Sequence, residues 1–375
     1  MISDGQGAVI RAEQAPVAHA SDDTPIRVMI VDDSAVVCGL VSRWLEDEPG
    51  LEVVARHANG RLAVDDVRRS APDVVLLDIE MPVMDGMEAL PLLLDARPEV
   101  QVLVISTVTK RNAEISFKAL ARGALDYVPK PETNREITTL PDFRDEVIRK
   151  VRALARAHRP GFPLAAAARP PAAFKQRAFS LVPPRVIAIG SSTGGPQVLT
   201  SLLEALSPAL DRTPVLIAQH MPPIFTTILA ERLTRAARRA TKEAVDGEPL
   251  RPGTIYVAPG NYHMTVHGSG AVRLGVADGP PVNFCRPAAD PLLISVAASF
   301  GPAALGIVLT GMGHDGAAGA RAIADAGGSV IAQDETSSVV WGMPGAAAAT
   351  GACSAVLPPA GIASAAAKLI CGQRP

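Results

Sequence analysis

Short apolar runs rich in β-branched residues alternate with helix-like patterns along most of this chain, and a stretch rich in proline and alanine divides the alternation into two blocks. The first block contains five strand-like runs, at residues 26–31, 51–55, 74–77, 102–105 and 125–128. Helical patterns lie between the runs, and a last helix is expected near residues 143–157. Strands that alternate with helices are typical of parallel α/β sheets. We therefore predict an α/β, doubly wound (βα)5 domain over residues 25–148.

The second block, residues 185–375, repeats this alternation and predicts a second α/β domain with a mostly parallel sheet. Its buried-strand patterns lie at residues 185–190, 215–219, 305–310 and 329–332. Three shorter runs between them are separated by turn residues and are expected to form antiparallel hairpins inserted into the domain. These runs lie at 254–258, 264–267 and 272–274. Residues 149–184 are predicted to hold a helix end and a Pro/Ala-rich linker, and residues 1–24 to be disordered.

Composition and charge exclude several classes of partner. The 375 residues carry a net charge of −2 and only 3% are aromatic, which argues against binding to nucleic acid. The sequence has no apolar run of about 18 residues and no signal-peptide pattern, so we expect no membrane insertion. The four cysteines have no C-x-x-C spacing and are predicted to be free thiols in a reducing compartment. Together these features predict a cytoplasmic protein.

Acidic residues follow two of the predicted strands in the first block. Asp32 and Asp33 follow the first strand, and Asp78 follows the third. Because the carboxyl ends of parallel strands converge, three carboxylates would share one pocket, which is unfavourable unless a cation neutralises them. Mg²⁺ fits, since it accepts few carboxylates and keeps waters for a phosphate. Ser106 and Lys130 follow the fourth and fifth strands and can contact a phosphoryl group. The set predicts a site for an aspartyl phosphate, although any one of these acids alone could simply be solvated.

A hydroxyl, an imidazole and a carboxylate follow three strand-like runs of the second block. Residues 190–194 read Gly-Ser-Ser-Thr-Gly and match the G-x-S-x-G pattern of a nucleophilic serine on a strand-to-helix turn. His220 can serve as the base that such a serine needs, and Asp315 can orient the imidazole. The chain order Ser-His-Asp differs from the Ser-Asp-His order of α/β-hydrolases. The residues therefore predict a serine hydrolase of another topology.

The residue pattern leaves two choices open within this site. Ser191 competes with Ser192 as the nucleophile. His314 competes with His220 as the base, although Asp315 cannot easily orient its own chain neighbour.

The surroundings of these residues narrow the chemistry further. The amides of Met312, between two glycines, and of Thr193, before a helix, could stabilise an oxyanion. His263 and His267 lack the spacing of a helical zinc pair, so we expect no cofactor in the second domain.

Two other classes of function compete with a hydrolase: a signalling scaffold with an inactive second domain, and a nucleotide-binding domain. The second lacks a P-loop lysine and a G-x-G-x-x-G pattern.

Residues 25–148 resemble a two-component receiver domain. The motifs that carry the resemblance are Val-Asp-Asp-Ser at 31–34, Leu-Asp-Ile-Glu-Met-Pro-Val-Met-Asp-Gly at 77–86 and Tyr-Val-Pro-Lys-Pro at 127–131. The resemblance implies that Asp78 is the phospho-acceptor, that Asp32 and Asp33 complete a Mg²⁺ site, and that Lys130 senses the phosphate. Ser106 matches the switch hydroxyl, with Thr107 beside it. A histidine kinase is the phosphodonor that this resemblance implies.

Residues 185–375 resemble the catalytic domain of the chemotaxis-type protein-glutamate methylesterase/glutaminases. The matching stretches lie at 189–196, 219–222, 225–226, 257–261, 286–290, 309–316 and 333–335. The resemblance selects Ser192 as nucleophile, His220 as base, Asp315 as orienting carboxylate and the Met312 amide as oxyanion donor. Ser191 departs from the alanine usual in the family, and His314 stands where asparagine is common.

The family reaction implied by this resemblance is hydrolysis of γ-glutamyl methyl esters on chemoreceptors, which releases methanol, and deamidation of receptor glutamines. The same resemblance implies a response regulator that acts in sensory adaptation. We expect the unphosphorylated first domain to cover the catalytic cleft of the second, and phosphorylation of Asp78 to weaken that contact.

Overall fold

The computed structural model describes residues 24–107, 109–130, 141–158, 176–268 and 270–375. The predicted disordered segment 1–24 lies outside the described residues except for Thr24. Residues 159–175, which are most of the predicted linker, lie outside them as well.

The first domain is built on a parallel five-stranded sheet with the order β2-β1-β3-β4-β5. The strands are β1 (Ile26–Val31), β2 (Leu51–His57), β3 (Val74–Asp78), β4 (Gln101–Thr107) and β5 (Asp126–Lys130). The helices are α1 (Ala35–Glu46), α2 (Gly60–Ser70), α3 (Gly86–Ala96), α4 (Lys110–Ala121) and α5 (Pro141–His158). All five residues of β3 are buried, as expected for a strand covered on both faces. This order confirms the predicted doubly wound (βα)5 architecture.

A seven-stranded sheet forms the centre of the second domain, in the order β14-β13-β12-β6-β7-β9-β8, and its recorded pairings are all parallel. Its strands are β6 (Val186–Ser191), β7 (Val215–Gln219), β8 (Thr241–Glu243), β9 (Ile255–Val257), β12 (Ala304–Val308), β13 (Ser329–Gln333) and β14 (Ala355–Leu357). Its helices are α6 (Gly195–Leu206), α7 (Phe225–Ala237), α8 (Ala289–Phe300), α9 (Ala317–Asp325), α10 (Met343–Ala349) and α11 (Pro359–Ile370).

One hairpin stands apart from this sheet. Strands β10 (His263–His267) and β11 (Arg273–Ala277) pair antiparallel with each other, which confirms an antiparallel insertion. The prediction that the run 254–258 belongs to such a hairpin is wrong, because β9 pairs parallel with β7. All three residues of β9 are buried. A run this short carries too little alternation to distinguish a buried parallel strand from one side of a hairpin.

The two domains share apolar packing. The Tyr127 ring of β5 stacks on the Phe225 ring of α7, with centroids 4.2 Å apart and an interplanar angle of 3°. Phe117 of α4 lies 6.3 Å from Phe225, and the Arg232 guanidinium lies over the Phe117 ring. Both aromatic side chains of the first domain are almost fully buried. Helix α4 and strand β5 therefore contribute to the face that the first domain turns to the second.

None of the helices within the described residues is both long enough and apolar enough to cross a membrane.

Candidate functional site

The nucleophile candidates and the base candidate lie at the carboxyl ends of adjacent strands. Strands β6 and β7 pair in register, with Ser191 opposite Gln219. Ser192 and His220 each follow by one residue, so their backbones are about 5 Å apart. The His220 amide donates to the carbonyl of Ser191 at 3.1 Å, and this bond extends the pairing beyond the strands.

The structure distinguishes the two serines. Ser191 is fully buried, and its Oγ donates to Oε1 of Gln219 at 2.7 Å. Ser192 is partly exposed, and its hydroxyl makes no hydrogen bond to any residue that the structure describes. The Ser191 hydroxyl is a poor nucleophile, because it is buried and already hydrogen-bonded. The Ser192 hydroxyl lies at a strand end without such a bond and can reach a substrate. The geometry therefore favours Ser192, as the resemblance does.

The turn that presents Ser192 requires glycine for steric reasons. Gly194 has φ +77°, in the left-handed region. A Cβ on Gly195 would lie 2.1 Å from Oε1 of Gln219, the oxygen that holds Ser191. The end of β12 also supports this turn, because the Ser192 amide donates to the carbonyl of Thr310 at 3.0 Å.

The carboxylate of Asp315 contacts the imidazole of His220. Nε2 of His220 lies 2.7 Å from Oδ2 of Asp315, and their side chains are 11% and 2% exposed. The two residues are 95 positions apart in the chain. The structure thus brings together the base and the orienting carboxylate that the sequence predicted from separate motifs.

Asp315 is held by the first turn of α8. Its carboxylate accepts hydrogen bonds from the amides of Ala289 at 2.5 Å and Asp290 at 3.0 Å. Nδ2 of Asn283 donates to its second oxygen at 3.0 Å. Burial raises the pKa of Asp315, but the bonds to His220 and to these donors prevail and lower it to about 2. The carboxylate is therefore ionised throughout the physiological range.

Cys285 is a site residue that the sequence reasoning missed. Its Sγ lies 3.3 Å from Nδ1 of His220, so both imidazole nitrogens have partners. Burial disfavours the charged imidazolium, but hydrogen bonds to Asp315 and Cys285 outweigh it and raise the pKa of His220 to about 9. Asn283, which bonds to Asp315, was missed as well. Both lie just before the matched stretch 286–290, which is the one signal that could have pointed to them.

Two backbone amides are available for an oxyanion. The amides of Thr193 and Met312 donate to no partner within the described part of the chain. Gly311, which precedes Met312, packs against Ser192, since a Cβ there would lie 2.8 Å from Cβ of Ser192. Both predicted donors are thus free and adjacent to the candidate nucleophile.

The remaining histidines of the sequence analysis lie outside this arrangement. His314 is exposed, and its side chain makes no hydrogen bond among the described residues. His263 is buried between the Pro280 carbonyl and the Ala288 amide. The His267 ring contacts the hydroxyl of Thr265. These contacts give His263 and His267 structural partners in and around the hairpin.

The acidic residues of the first domain form one pocket. Oxygens of Asp32, Asp33 and Asp78 all lie within 4.8 Å of one another. Nζ of Lys130 contacts Asp32 at 2.8 Å and Asp78 at 3.4 Å. Burial raises the pKa of Asp78 to about 6, with Lys130 opposing the shift and Asp32 adding to it. Three close carboxylates against one lysine leave an uncompensated negative charge, and this donor set suits a hard divalent cation such as Mg²⁺.

Ser106 is a second polar group in this pocket that a bound phosphate would suit. Its side chain is 1% exposed, and its buried Oγ has no hydrogen-bond partner among the described residues. The neighbouring Thr107 hydroxyl already accepts a bond from Asn112. A phosphoryl oxygen would satisfy the free Ser106 hydroxyl, so the residues present fit both the cation and the phosphate that the receiver motifs imply.

The first domain touches the catalytic turn directly. Oγ1 of Thr193, the residue after Ser192, donates to Oδ2 of Asp126 at 2.7 Å. Lys150 of α5 contacts the same carboxylate oxygen at 3.0 Å. Nε2 of Gln197 donates to the carbonyl of Ala124 at 3.3 Å. The start of β5 therefore lies against the turn that presents the nucleophile.

Comparison with known proteins finds a family match for each of the two domains. The family described as response regulator receiver domain matches residues 28–140, and the family described as CheB methylesterase matches residues 187–366. The chain is similar to a solved structure, the CheB methylesterase catalytic domain of Thermotoga maritima, with 38% identity over 50% of this chain and 100% of that one, at a TM-score of 0.48.

Curated relatives match both domains at once. The protein-glutamate methylesterase/protein-glutamine glutaminase of group 2 operon from Bradyrhizobium diazoefficiens is 51% identical over 93% of this chain and 95% of its own length. The protein-glutamate methylesterase/protein-glutamine glutaminase of Rhodopseudomonas palustris strain HaA2 is 52% identical over 92% of this chain and 94% of its own length.

Proposed function

Because the chain belongs to the protein-glutamate methylesterase/protein-glutamine glutaminase family, we propose that it demethylates γ-glutamyl methyl esters on chemoreceptors and deamidates receptor glutamines. The methylesterase and glutaminase activities belong to the family as a whole. The chemoreceptor substrate, the residue roles and the control by phosphorylation are parts of the proposal. With a receptor substrate and a kinase phosphodonor, the reaction takes place in the cytoplasm.

One observation carries the catalytic part of the proposal: a free hydroxyl at Ser192 lies one strand from His220, whose imidazole is bonded to a buried Asp315. In the proposed reaction, Oγ of Ser192 attacks the ester carbonyl and its proton passes to His220. Since Nε2 faces Asp315, Nδ1 is the nitrogen that receives the proton, once the Cys285 thiol has moved away from it. The Thr193 and Met312 amides hold the oxyanion.

The proton then passes from His220 to the departing methoxide, which leaves as methanol. Water attacks the acyl-enzyme, restores Ser192 and leaves a glutamate side chain. Deamidation follows the same steps with ammonia as leaving group. Methoxide leaves more easily than ammonia, so we expect ester hydrolysis to be the faster reaction.

The Ser192→Ala variant tests the nucleophile. It should lower methanol release from methylated receptor membranes by on the order of 10³-fold or more and abolish labelling by a fluorophosphonate probe. Ser191→Ala is the matched control, since it removes the neighbouring hydroxyl and should keep both signals. An active Ser192→Ala protein would contradict the assignment. A folded wild-type protein that the probe does not label would instead support the inactive scaffold.

In the first domain we assign Asp78 as the phospho-acceptor, with Asp32, Asp33 and Asp78 holding Mg²⁺. The bound ion supplies charge neutralisation for phosphoryl transfer from a histidine kinase to the Asp78 carboxylate. Lys130 lies against the same carboxylate, and the Ser106 hydroxyl, which has no partner in the part of the chain that the structure describes, can bind a phosphoryl oxygen.

Phosphorylation is proposed to relieve inhibition of the catalytic site. Asp126 and Lys130 are the two ends of the same strand, β5. Movement of Ser106 and Lys130 toward a phosphoryl group on Asp78 would shift this strand, and its other end bonds to Thr193 beside the nucleophile. The contact between the domains then weakens, and the catalytic cleft opens to the receptor.

Replacement of Asp126 tests this coupling. Asp126→Ala removes the acceptor of the Thr193 hydroxyl, so basal methanol release without a phosphodonor should rise several-fold. Asp66→Ala is the control: this acid is also buried and ion-paired, to His57 and Arg69, but it lies on α2, away from the interface. Asp78→Asn should abolish stimulation by a phosphodonor and keep the basal rate. An unchanged basal rate in Asp126→Ala would count against inhibition through this contact.

A further inference from the structure

A tight turn beside the catalytic residues has features that the proposed reaction does not use. Val282 and Cys285 are paired antiparallel by two backbone hydrogen bonds, of 3.1 and 2.9 Å. The two residues between them, Asn283 and Phe284, have φ values of +51° and +63°. This is a two-residue turn with both central residues in the left-handed region.

The backbone conformation at Phe284 is unfavourable for its side chain. Glycine and asparagine tolerate positive φ, and Asn283 meets that preference. A bulky aromatic residue there is a genuine outlier, and such outliers cluster at functional sites. Phe284 is also 97% exposed, so its ring has no packing to offset the strain.

The side chains on either side of Phe284 are fixed to the catalytic residues. Asn283 donates to Asp315 and, at the same distance of 3.0 Å, to Asp290. Cys285 contacts Nδ1 of His220 at 3.3 Å. Both chain neighbours of Phe284 thus contact the imidazole and the carboxylate that the proposed reaction uses. These contacts hold the exposed Phe284 ring at the edge of the catalytic cleft.

We propose that Phe284 is a substrate-specificity residue, whose ring packs on the apolar surface of the receptor helix around the glutamyl ester. This inference rests on the proposed function, since it takes the methylated receptor as the occupant. Continuity with the catalytic site supports that occupant, because a protein that presents an ester to Ser192 must also cover the adjacent turn. Exposed aromatic residues supply large contact areas at low entropy cost and often dominate binding.

Replacement of Phe284 by glycine distinguishes a role of the ring in receptor binding from a role in the stability of the turn. Phe284→Gly keeps the turn and relieves the strain, so the thermal midpoint should rise by about 2–4 °C. The kcat/KM for methanol release from methylated receptor membranes should fall roughly tenfold. The rate at which a small fluorophosphonate probe labels Ser192 should stay unchanged, because that probe needs the triad and not the receptor surface. Phe284→Tyr should keep receptor turnover.

Arg238→Gly is the matched control in the full chain. Arg238 is exposed, has φ +51° and caps the carboxyl end of α7, at the edge of the sheet opposite the catalytic cleft. The Arg238→Gly variant should change stability in the same direction and leave receptor turnover unaltered.

Full receptor turnover in Phe284→Gly would overturn the inference, and so would a loss of probe labelling as large as the loss of receptor turnover. If wild-type protein is labelled but releases no methanol from receptors, the proposed function fails and this inference fails with it.

Discussion

At the scale of single residues, the environment of the imidazole proposed as the catalytic base matters most. His220 lies between a carboxylate that is ionised at all physiological pH values and a thiol. The carboxylate stabilises the imidazolium that forms during attack, but it also stabilises the imidazolium in the free enzyme. Only the neutral imidazole can take a proton from Ser192, so the raised pKa of His220 limits activity at low pH.

The pH dependence of the esterase follows from this pKa, which is about 9. Below that value His220 is protonated and cannot act as a base, so kcat/KM should rise with pH and level off above about 9. Initial rates of methanol release at saturating phosphodonor, over pH 6 to 10, would give the profile. A plateau that begins near the ordinary histidine pKa, about 6.5, would contradict the structural account.

Cys285 should move this profile. Cys285→Ala removes a hydrogen bond that raises the pKa of His220, so the midpoint of the kcat/KM profile should shift to lower pH. Cys353→Ala is a matched control, because that thiol is buried elsewhere in the second domain. If both substitutions leave the midpoint unchanged, the Cys285 thiol has no part in setting it.

The motifs predicted that the candidate catalytic residues lie close together, as the structure has them, but they did not predict the residues that hold them. Ser192, His220 and Asp315 follow strand ends, where the sequence pattern itself indicates a shared cleft. Asn283 and Cys285 lie on a turn whose position depends on packing between distant segments, and no local pattern encodes it. The burial of Ser191 likewise depends on Gln219, from the next strand.

At the scale of elements, helix α8 anchors the catalytic carboxylate. Asp315 accepts the Ala289 and Asp290 amides of the first turn of this helix, so it acts as a cap from a different segment of the chain. This cap stabilises both the helix and the carboxylate. The helix gains hydrogen-bond acceptors for its first amides, and Asp315 gains donors that favour its charged form.

Removal of this cap should cost stability as well as activity. Asp315→Ala leaves two buried amides unpaired, which at roughly 1–3 kcal/mol each predicts a loss of about 2–6 kcal/mol in the free energy of unfolding. Urea unfolding followed by circular dichroism measures it. Asp325→Ala is the control, because that carboxylate is exposed and pairs only with surface arginines. An Asp315→Ala protein as stable as the Asp325→Ala control would rule out the capping role.

Element order was largely predictable, and the exceptions have a common cause. Strands of five or more residues with continuous apolar runs were placed within a few positions of their observed ends. The three-residue strands β8, β9 and β14 were missed or misassigned, because their pairing is decided by neighbours in the sheet. Propensity over three residues is too weak a signal to compete with that context.

At the scale of the whole molecule, apolar packing joins the two domains. Met312 and Val340 of the second domain belong to the same buried cluster as Phe143 and Val147 of α5. With the stacked Tyr127 and Phe225 rings, this packing should make the domains unfold together. The sequence predicted that the domains meet, but not which faces, since interface residues look like any other buried apolar positions.

Calorimetry can test this coupling. Tyr127→Ala removes the stacked ring at the interface, so the single thermal transition expected for the unmodified chain should separate into two. Val67→Ala is the control, because this buried side chain lies on α2, away from the interface. That variant should lower the midpoint without splitting the transition. One undivided transition in Tyr127→Ala would mean that the stacked pair contributes little to domain association.

Strand β5 is short, which bears on how fast the second domain can respond to a change in the first. Its five residues extend from Asp126 to Lys130, and at about 3.3 Å per residue Lys130, the proposed phosphate sensor, is only about 13 Å from Asp126, which bonds to the turn that carries Ser192. A movement of Lys130 at one end of so short a strand is transmitted almost at once to Asp126 at the other end. If phosphorylation activates the enzyme as proposed, the delay between phosphorylation of Asp78 and the first turnover is set by how fast the two domains separate, and a variant with a weaker domain interface should respond sooner.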